Sequence, residues 1–241
     1  MKSSPTLVAL TTTLLPSLAS ALCETSWSIP NVPSAGLTDI TFPINIANAP
    51  HVAGYYFAQQ FNFVGQSDVG YAGLQPRPDS GSGSIIHGVF SSFIAGTTST
   101  DDNCSNGADG GAGVSCAFEF SGSYADTWQV VVTNTGGTTW TGTAVDSVSG
   151  TQNHIGTFTL PSGSGGIESS QVGFVEYYPW NSDPSLTCAD IPATEGTFYP
   201  PTTGSSSSGA ATGSLSGSVD NCQSQITQTS VSGGVEFIIT A

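Results

Sequence analysis

Basic side chains are nearly missing from this chain. Its 241 residues hold one lysine, Lys2, and one arginine, Arg77, against seventeen Asp and Glu, for a formal charge of -15 at pH 7. So one-sided a surface repels phosphate backbones and anionic lipid headgroups, which excludes nucleic acid and the membrane surface as partners. Lysine-based covalent catalysis is excluded with them. Long apolar runs are missing too, the one near the N-terminus being too short to span a bilayer. The cysteines form no CxxC pair, and His51, His87 and His154 lie far apart with no i, i+2 or i, i+4 partner, so the sequence predicts no metal and no cofactor. A GxSxG elbow, a P-loop and an HExxH motif are all absent, which removes the common nucleophile, nucleotide and metalloprotease signatures.

What is present begins with a leader. Residues 1–21 read as a secretory signal, with Lys2 at the start, an apolar run from Leu7 to Leu15, and Ala19-Ser20-Ala21 as a small-residue cleavage site. Residues 22–241 then form a single secreted, extracellular domain. Loss of Lys2 takes the formal charge from -15 to -16 and leaves Arg77 as the one fixed cation. Near the sequence pI of about 4.1 many of the carboxylates are protonated and their mutual repulsion falls, so an acidic medium suits the chain. The C-terminal Phe237-Ile238-Ile239-Thr240-Ala241 lacks the spacer and long apolar tail of a lipid anchor.

Five cysteines follow the leader, and in a secreted protein they favour disulfides with one thiol left over. Cys104 with Cys116, flanking a Gly/Asp-rich loop, is the first expected pair, and Cys188 with Cys222 the second. Cys23 is left unpaired. The one glycosylation sequon, Asn103-Cys104-Ser105, falls in the same loop, which makes Asn103 the candidate acceptor.

Short runs of period two dominate the rest. In 55–63, Tyr55, Phe57, Phe61 and Phe63 share one face while Tyr56, Gln60 and Asn62 share the other. Runs at 69–75, 84–93, 116–120, 128–133, 140–145, 154–160, 172–178 and 235–240 read as strands likewise, and Gly136-Gly137 marks a hairpin turn. So many short strands with loop punctuation predict an all-β fold, a two-sheet antiparallel β-sandwich or jelly roll of concanavalin-like form. Residues 97–113 and 204–218, rich in Gly, Ser and Asp or Thr, read as irregular loops. Asp101, Asp102, Asn103, Asn106 and Asp109 offer oxygen ligands without EF-hand spacing, and a solvated loop is the simpler reading.

Carboxylates are the chemistry that remains. Glu119 and Glu176 both stand inside strand-like runs, and alternation puts Glu176 on one face with Phe174 and Tyr178, where aromatic cover would raise its pKa toward the range of a general acid or base. Glu119 points away from Phe118 and Phe120, toward solvent. Tyr56, Tyr71, Tyr177, Tyr178 and Trp180, with Gln60 and Asn62, could line a sugar-stacking groove or pack in the core, and Tyr56, Gln60, Tyr71, Arg77, Tyr178 and Trp180 are the candidate binding residues. Glu176 and Glu195, only 19 positions apart, do not fit the widely separated glutamates of small jelly-roll xylanases.

From Trp128 onward the order of segments resembles that of the fungal glutamic peptidases (eqolisins). The matching pieces are a Thr/Val strand pair, the His154 strand, Phe174-Val175-Glu176, Ala189-Asp190, a Gly/Ser/Thr stretch and Gln228-Thr229-Ser230-Val231-Ser232-Gly233-Gly234, with Gly73-Leu74-Gln75 upstream. The first half, with Tyr55-Tyr56-x-Ala58-Gln59-Gln60-Phe61 and Gly70-Tyr71-x-Gly73-Leu74-Gln75, is similar to a secreted family known as domain of unknown function 3472, a resemblance that implies no particular activity. The peptidase resemblance implies a Gln75/Glu176 catalytic dyad acting on an extracellular polymer. In it Glu176 would be general base and then acid, and the Gln75 amide would orient the water and meet the oxyanion. Arg77, two residues beyond Gln75, would either lower the pKa of Glu176 or anchor a turn. The alternative is a non-catalytic protein of the same fold that binds cell-wall glycan or a host surface.

Overall fold

The computed structural model describes residues 21–81 and 83–241, so the predicted leader lies outside the described residues except for Ala21. Among them are seventeen strands. They are β1 (Cys23–Ser28), β2 (Asp39–Asn45), β3 (Tyr55–Asn62), β4 (Val69–Ser80), β5 (Gly83–Ser92), β6 (Cys104–Ala108), β7 (Gly111–Ser121), β8 (Thr127–Gly136) and β9 (Thr139–Asp146). After these come β10 (Gln152–Thr159), β11 (Ser170–Tyr177), β12 (Thr194–Phe198), β13 (Thr202–Ser206), β14 (Gly209–Thr212), β15 (Ser214–Val219), β16 (Ile226–Val231) and β17 (Gly234–Ile239). Between β11 and β12 lie one helical turn, α1 (Pro179–Ser182), and a 3-10 turn (Cys188–Asp190).

The strands form two open antiparallel sheets, a β-sandwich as the sequence predicts. One has eight strands in the order β15-β1-β11-β3-β4-β5-β7-β6. The other has nine, β10-β9-β8-β2-β12-β17-β16 with β13 and β14 attached beside β2. Because side chains alternate across a strand, each sheet turns one apolar row inward. Phe57 and Phe61 of β3, Leu74 of β4, Ile86 and Phe90 of β5 and Val175 of β11 meet Phe42 of β2, Trp128 of β8, Phe158 of β10 and Phe198 of β12, all buried in one cluster. Rings interlock across the gap: Phe90 stacks on Phe158 at 4.3 Å, and Phe42 on Phe61 at 6.2 Å. Gly142 of β9 is needed here, since a Cβ would sit 2.5 Å from the Phe90 ring.

Two stretches expected to be irregular are ordered ladders. Residues 97–113 contain β6 and the start of β7, joined by a turn in which Asp109 has φ 47°. Residues 204–218 hold the end of β13, β14 and most of β15, and β15 pairs in full register with β1. The disulfides join Cys104 to Cys116 and Cys188 to Cys222, and Cys23 is a buried free thiol. No helix among the described residues is long and apolar enough to cross a membrane.

Candidate functional site

The outer face of the eight-stranded sheet carries a second, smaller apolar cluster. Tyr56, Ala58 and Phe174 form it, with Ala21, Tyr71, Val89 and Tyr178 packed around. Polar groups line up along one edge of it by strand register. On β11, Glu176 pairs with Tyr56 of β3; on β4, Gln75 pairs with His87 of β5, which pairs in turn with Glu119 of β7. The β3–β4 ladder ends at Phe57 opposite Leu74, so the next step of the register sets Tyr56 beside Gln75 where the two strands part. Directly opposed residues point to the same face. Glu176, Tyr56, Gln75, His87 and Glu119 therefore form one transverse row, in which the backbones of Glu176 and Gln75 stand two interstrand spacings apart, about 10 Å. Tyr56 stands between the two on the same face, so Glu176 and Gln75 flank its ring from the neighbouring strands.

Local sequence explains why Gln75 sits where it does. Gly73 lets β3 and β4 approach closely just before they part, because a Cβ there would lie 2.1 Å from the Phe57 carbonyl oxygen. Pro76 does not bend β4 away, since pairing with β5 continues through Pro76 opposite Ile86 and Arg77 opposite Ile85, and the register slips only beyond Arg77, where Pro78 and Asp79 stand. Both prolines lie beyond the point where β4 leaves β3, so no ladder hydrogen bond is lost on that side. Gln75 and Arg77 thus remain on one face.

Glu176 is the most enclosed carboxyl of the row, with 7 % of its surface exposed. Its Oε1 accepts a hydrogen bond from Asn181 Nδ2 of α1. Burial pushes its pKa up to about 6; the Asn181 bond opposes this, and the negative charge of Asp109 adds to it. Asp109 also helps raise Tyr71, pushed up to about 12 chiefly by burial, which brings the charged tip of the β6–β7 hairpin toward the Glu176 end of the face. Tyr56, buried between the two strands of interest, has a hydroxyl without a hydrogen-bond partner and packs edge-on against Phe174 at 5.7 Å.

Arg77 does not do what the sequence suggested for Glu176. Its donors go to Gln75 Oε1 (Nη2, 2.7 Å), Glu119 Oε1 (Nε, 3.1 Å) and the Pro76 carbonyl (Nη1, 3.0 Å), and Nη1 reaches the Tyr178 hydroxyl at 3.5 Å. With the cation committed there, desolvation governs Glu176, and its pKa rises instead of falling. Glu119 faces solvent as expected, with 56 % of its side chain exposed, and it also accepts from Arg77 and lies 3.2 Å from His87 Nδ1. Desolvation and then the neighbouring Arg77 charge hold His87 below its ordinary range, against the pull of Glu119.

The remaining expected residues divide. Tyr71 and Tyr178 are half-buried on the outer face with Tyr56. Gln60 pairs with Tyr71 on the same face, and its backbone carbonyl accepts from Trp27 Nε1 at 3.1 Å. Trp180 packs against the interior core along with Tyr177, so neither belongs to an outer aromatic groove, because the chain turns into α1 immediately after Tyr178. Asn103 donates through Nδ2 to the His154 carbonyl at 3.3 Å. Asp101 binds His154 Nε2 at 2.6 Å and the Asn103 amide at 3.0 Å, and no group of three or more metal-ligating side chains exists among the described residues. Asn181 and Asp109 were not foreseen; both act on Glu176 from outside its strand. Two surface hollows, one lined by His51, Ser84 and Tyr124 and the other by Asp39, Thr203 and Ala211, contain neither Gln75 nor Glu176. The row lies on an open sheet face.

Solved structures of similar shape exist. The chain superposes on Scytalido-glutamic peptidase in a crystal structure with a peptide-based transition-state analogue, with a TM-score of 0.52 and 11 % identity over 92 % of this chain and 100 % of that one. A second crystal structure of that peptidase, with a transition-state analogue inhibitor, gives 0.50 and 13 % over the same shares. At such identities the likeness is one of fold. No protein-family model matches the chain and no curated protein matches it, so the resemblance of the first half to domain of unknown function 3472 finds no support.

Proposed function

We propose that this protein is a glutamic-peptidase-like hydrolase of extracellular polymers, with Glu176 and Gln75 as its working pair. One observation carries the reading: strand register sets a desolvated carboxyl and a half-buried amide in one transverse row, on the outer face of a sandwich shared in outline with a glutamic peptidase. Ionised Glu176 takes a proton from a water held between the two side chains, and the hydroxide adds to the scissile carbonyl carbon. Gln75 Nε2 donates to the oxyanion that forms, and Glu176 returns the proton to the leaving amine as the C–N bond breaks. Asn181 holds the carboxylate in place through Oε1 and leaves the other oxygen for the water. A pKa of about 6 makes Glu176 a base that works from weakly acidic pH upward, higher than the low pI alone suggests. Secretion suits this reading, and two disulfides are compatible with an oxidising compartment.

The rival, a non-catalytic glycan- or host-surface-binding protein, needs exposed aromatic faces for stacking. Tyr56 and Phe174 are 6 % and 7 % exposed and packed against each other, and the half-buried Trp180 packs against the interior core, which favours the hydrolytic reading. The test is digestion of an unfolded protein at pH 3 to 7, read by mass spectrometry. Cleavage by the wild type should fall by about 10²- to 10⁴-fold in Glu176→Gln and by about 10²- to 10³-fold in Gln75→Ala. No cleavage by the wild type, or equal cleavage by the wild type and Glu176→Gln, removes the proposal.

A further inference from the structure

A glutamine serves an oxyanion only through its NH2 group, so which end of the Gln75 amide is turned to the open face decides whether it can act. The amide has an acceptor at one end and a donor at the other, whereas a guanidinium has donors only. Arg77 Nη2 lies 2.7 Å from Gln75 Oε1. With the amide reversed, two donors would oppose each other, so the oxygen faces the arginine and the NH2 is turned away from it.

The guanidinium is itself fixed. Its side chain is 16 % exposed, Nε is bound to Glu119, Nη1 to the Pro76 carbonyl, and the Arg77 backbone N–H donates to the Tyr124 hydroxyl at 2.9 Å. Tyr124 is held in turn by donating to the Ile85 carbonyl at 2.8 Å. Nη1 also reaches Tyr178, two residues beyond Glu176, so one cation touches both Gln75 on β4 and the residue that follows β11. It is the one Lys or Arg among the described residues, facing seventeen carboxylates, yet its shortest bond goes to a neutral amide.

We infer that Arg77 is the positioning residue of this site, its guanidinium pinning the Gln75 oxygen so that Nε2 presents its hydrogens to the open face, with Glu119 holding the guanidinium in plane. This rests on the hydrolytic reading of Gln75 and Glu176. The positive charge also polarises the amide, which strengthens the N–H as a donor. Lysine could not replace it fully, since one ammonium lacks the planar fork that serves Gln75 and Glu119 together.

The experiment pairs a spectroscopic readout with kinetics on wild type, Arg77→Met and Arg77→Lys. In 15N-edited NMR spectra, the Gln75 side-chain NH2 pair, assigned by its loss in Gln75→Glu, should move toward the position of an exposed glutamine in Arg77→Met while signals of the opposite sheet stay put. In the same variant kcat should drop by about 10- to 100-fold, less than the roughly 10²- to 10³-fold for losing an oxyanion donor outright because the amide stays in place, with KM changed less than about threefold; Arg77→Lys should recover part of kcat. An unmoved Gln75 signal, or an unchanged kcat in a hydrolytically active protein, overturns the inference. Arg77→Lys, which keeps the charge and stem, gives the same two readouts if Arg77→Met does not fold. A wild type without Glu176-dependent cleavage overturns the hydrolytic reading instead, and is told apart because the NMR result does not depend on turnover.

Discussion

Glu176 couples the chemistry of the site to the stability of the fold. Its pKa rises from 4.5 to about 6 because burial penalises the charged form, so the folded state binds a proton more tightly than the unfolded chain does. The sign follows from linkage: the folded state is relatively favoured below pH 4.5, and that advantage is lost as pH rises through 6. A shift of this size is worth roughly 2 kcal/mol. Glu176→Gln keeps an oxygen for Asn181 and removes the charge, so at pH 7 the variant should melt roughly 4 to 8 °C above the wild type. At pH 4 the two should coincide, and thermal melts at both values check this. Asp109→Asn removes a neighbouring negative charge and should move the Glu176 titration to lower pH, read as a shift of the acid limb of the activity profile. The two residues proposed as the working pair are reached in the sequence from alternation, for Glu176, and from the peptidase resemblance, for both. Asn181, Asp109 and the true partners of Arg77 are not, because each acts across a turn or between strands, where local pattern carries no signal.

The hairpin β6–β7 is the element on which the site's electrostatics lean. Cys104–Cys116 closes it, and the same sulfurs pack where Gly156 of β10 has no side chain, a Cβ there falling 2.4 Å from Cys116 Cβ. In the chain-entropy picture a loop of this length contributes about 3 kcal/mol. Replacing both cysteines by serine should therefore lower stability by about that amount in urea titration, and should release Asp109 from its place near Glu176. Strands with one apolar face, such as β3, β8, β9 and β17, are readable from their period of two. Those missed have physical excuses: β2 alternates Ile40, Phe42 and Ile44 inward but carries Pro43, which reads as a break. β14 and β15 are largely exposed and built of Ser, Gly and Ala, so they show little apolar alternation, and main-chain pairing holds them where side chains give no hint.

At the scale of the molecule, two sheets close over an aromatic core that accounts for the fold, while the pair proposed to work, Gln75 and Glu176, stands on the outer face of one sheet. Phe90, stacked on Phe158 across the gap, illustrates the first half, and Phe90→Ala should cost about 3 to 5 kcal/mol in urea unfolding without altering the row around Gln75. The excess of carboxylates over one arginine works in the same direction as Glu176, since acidification toward the pI of about 4.1 relieves repulsion. Stability thus favours acid, whereas a base with a pKa of about 6 favours milder conditions, and the two set opposing limits on where the protein works. The measurement that meets this account most directly is kcat/KM against pH, from 3 to 8, for the wild type and Glu176→Gln on one peptide substrate. The account predicts a wild-type rate that climbs tenfold per pH unit and levels off near pH 6, and a variant with residual, flat activity. A wild-type profile without that limb, or one that Glu176→Gln shares, would contradict it.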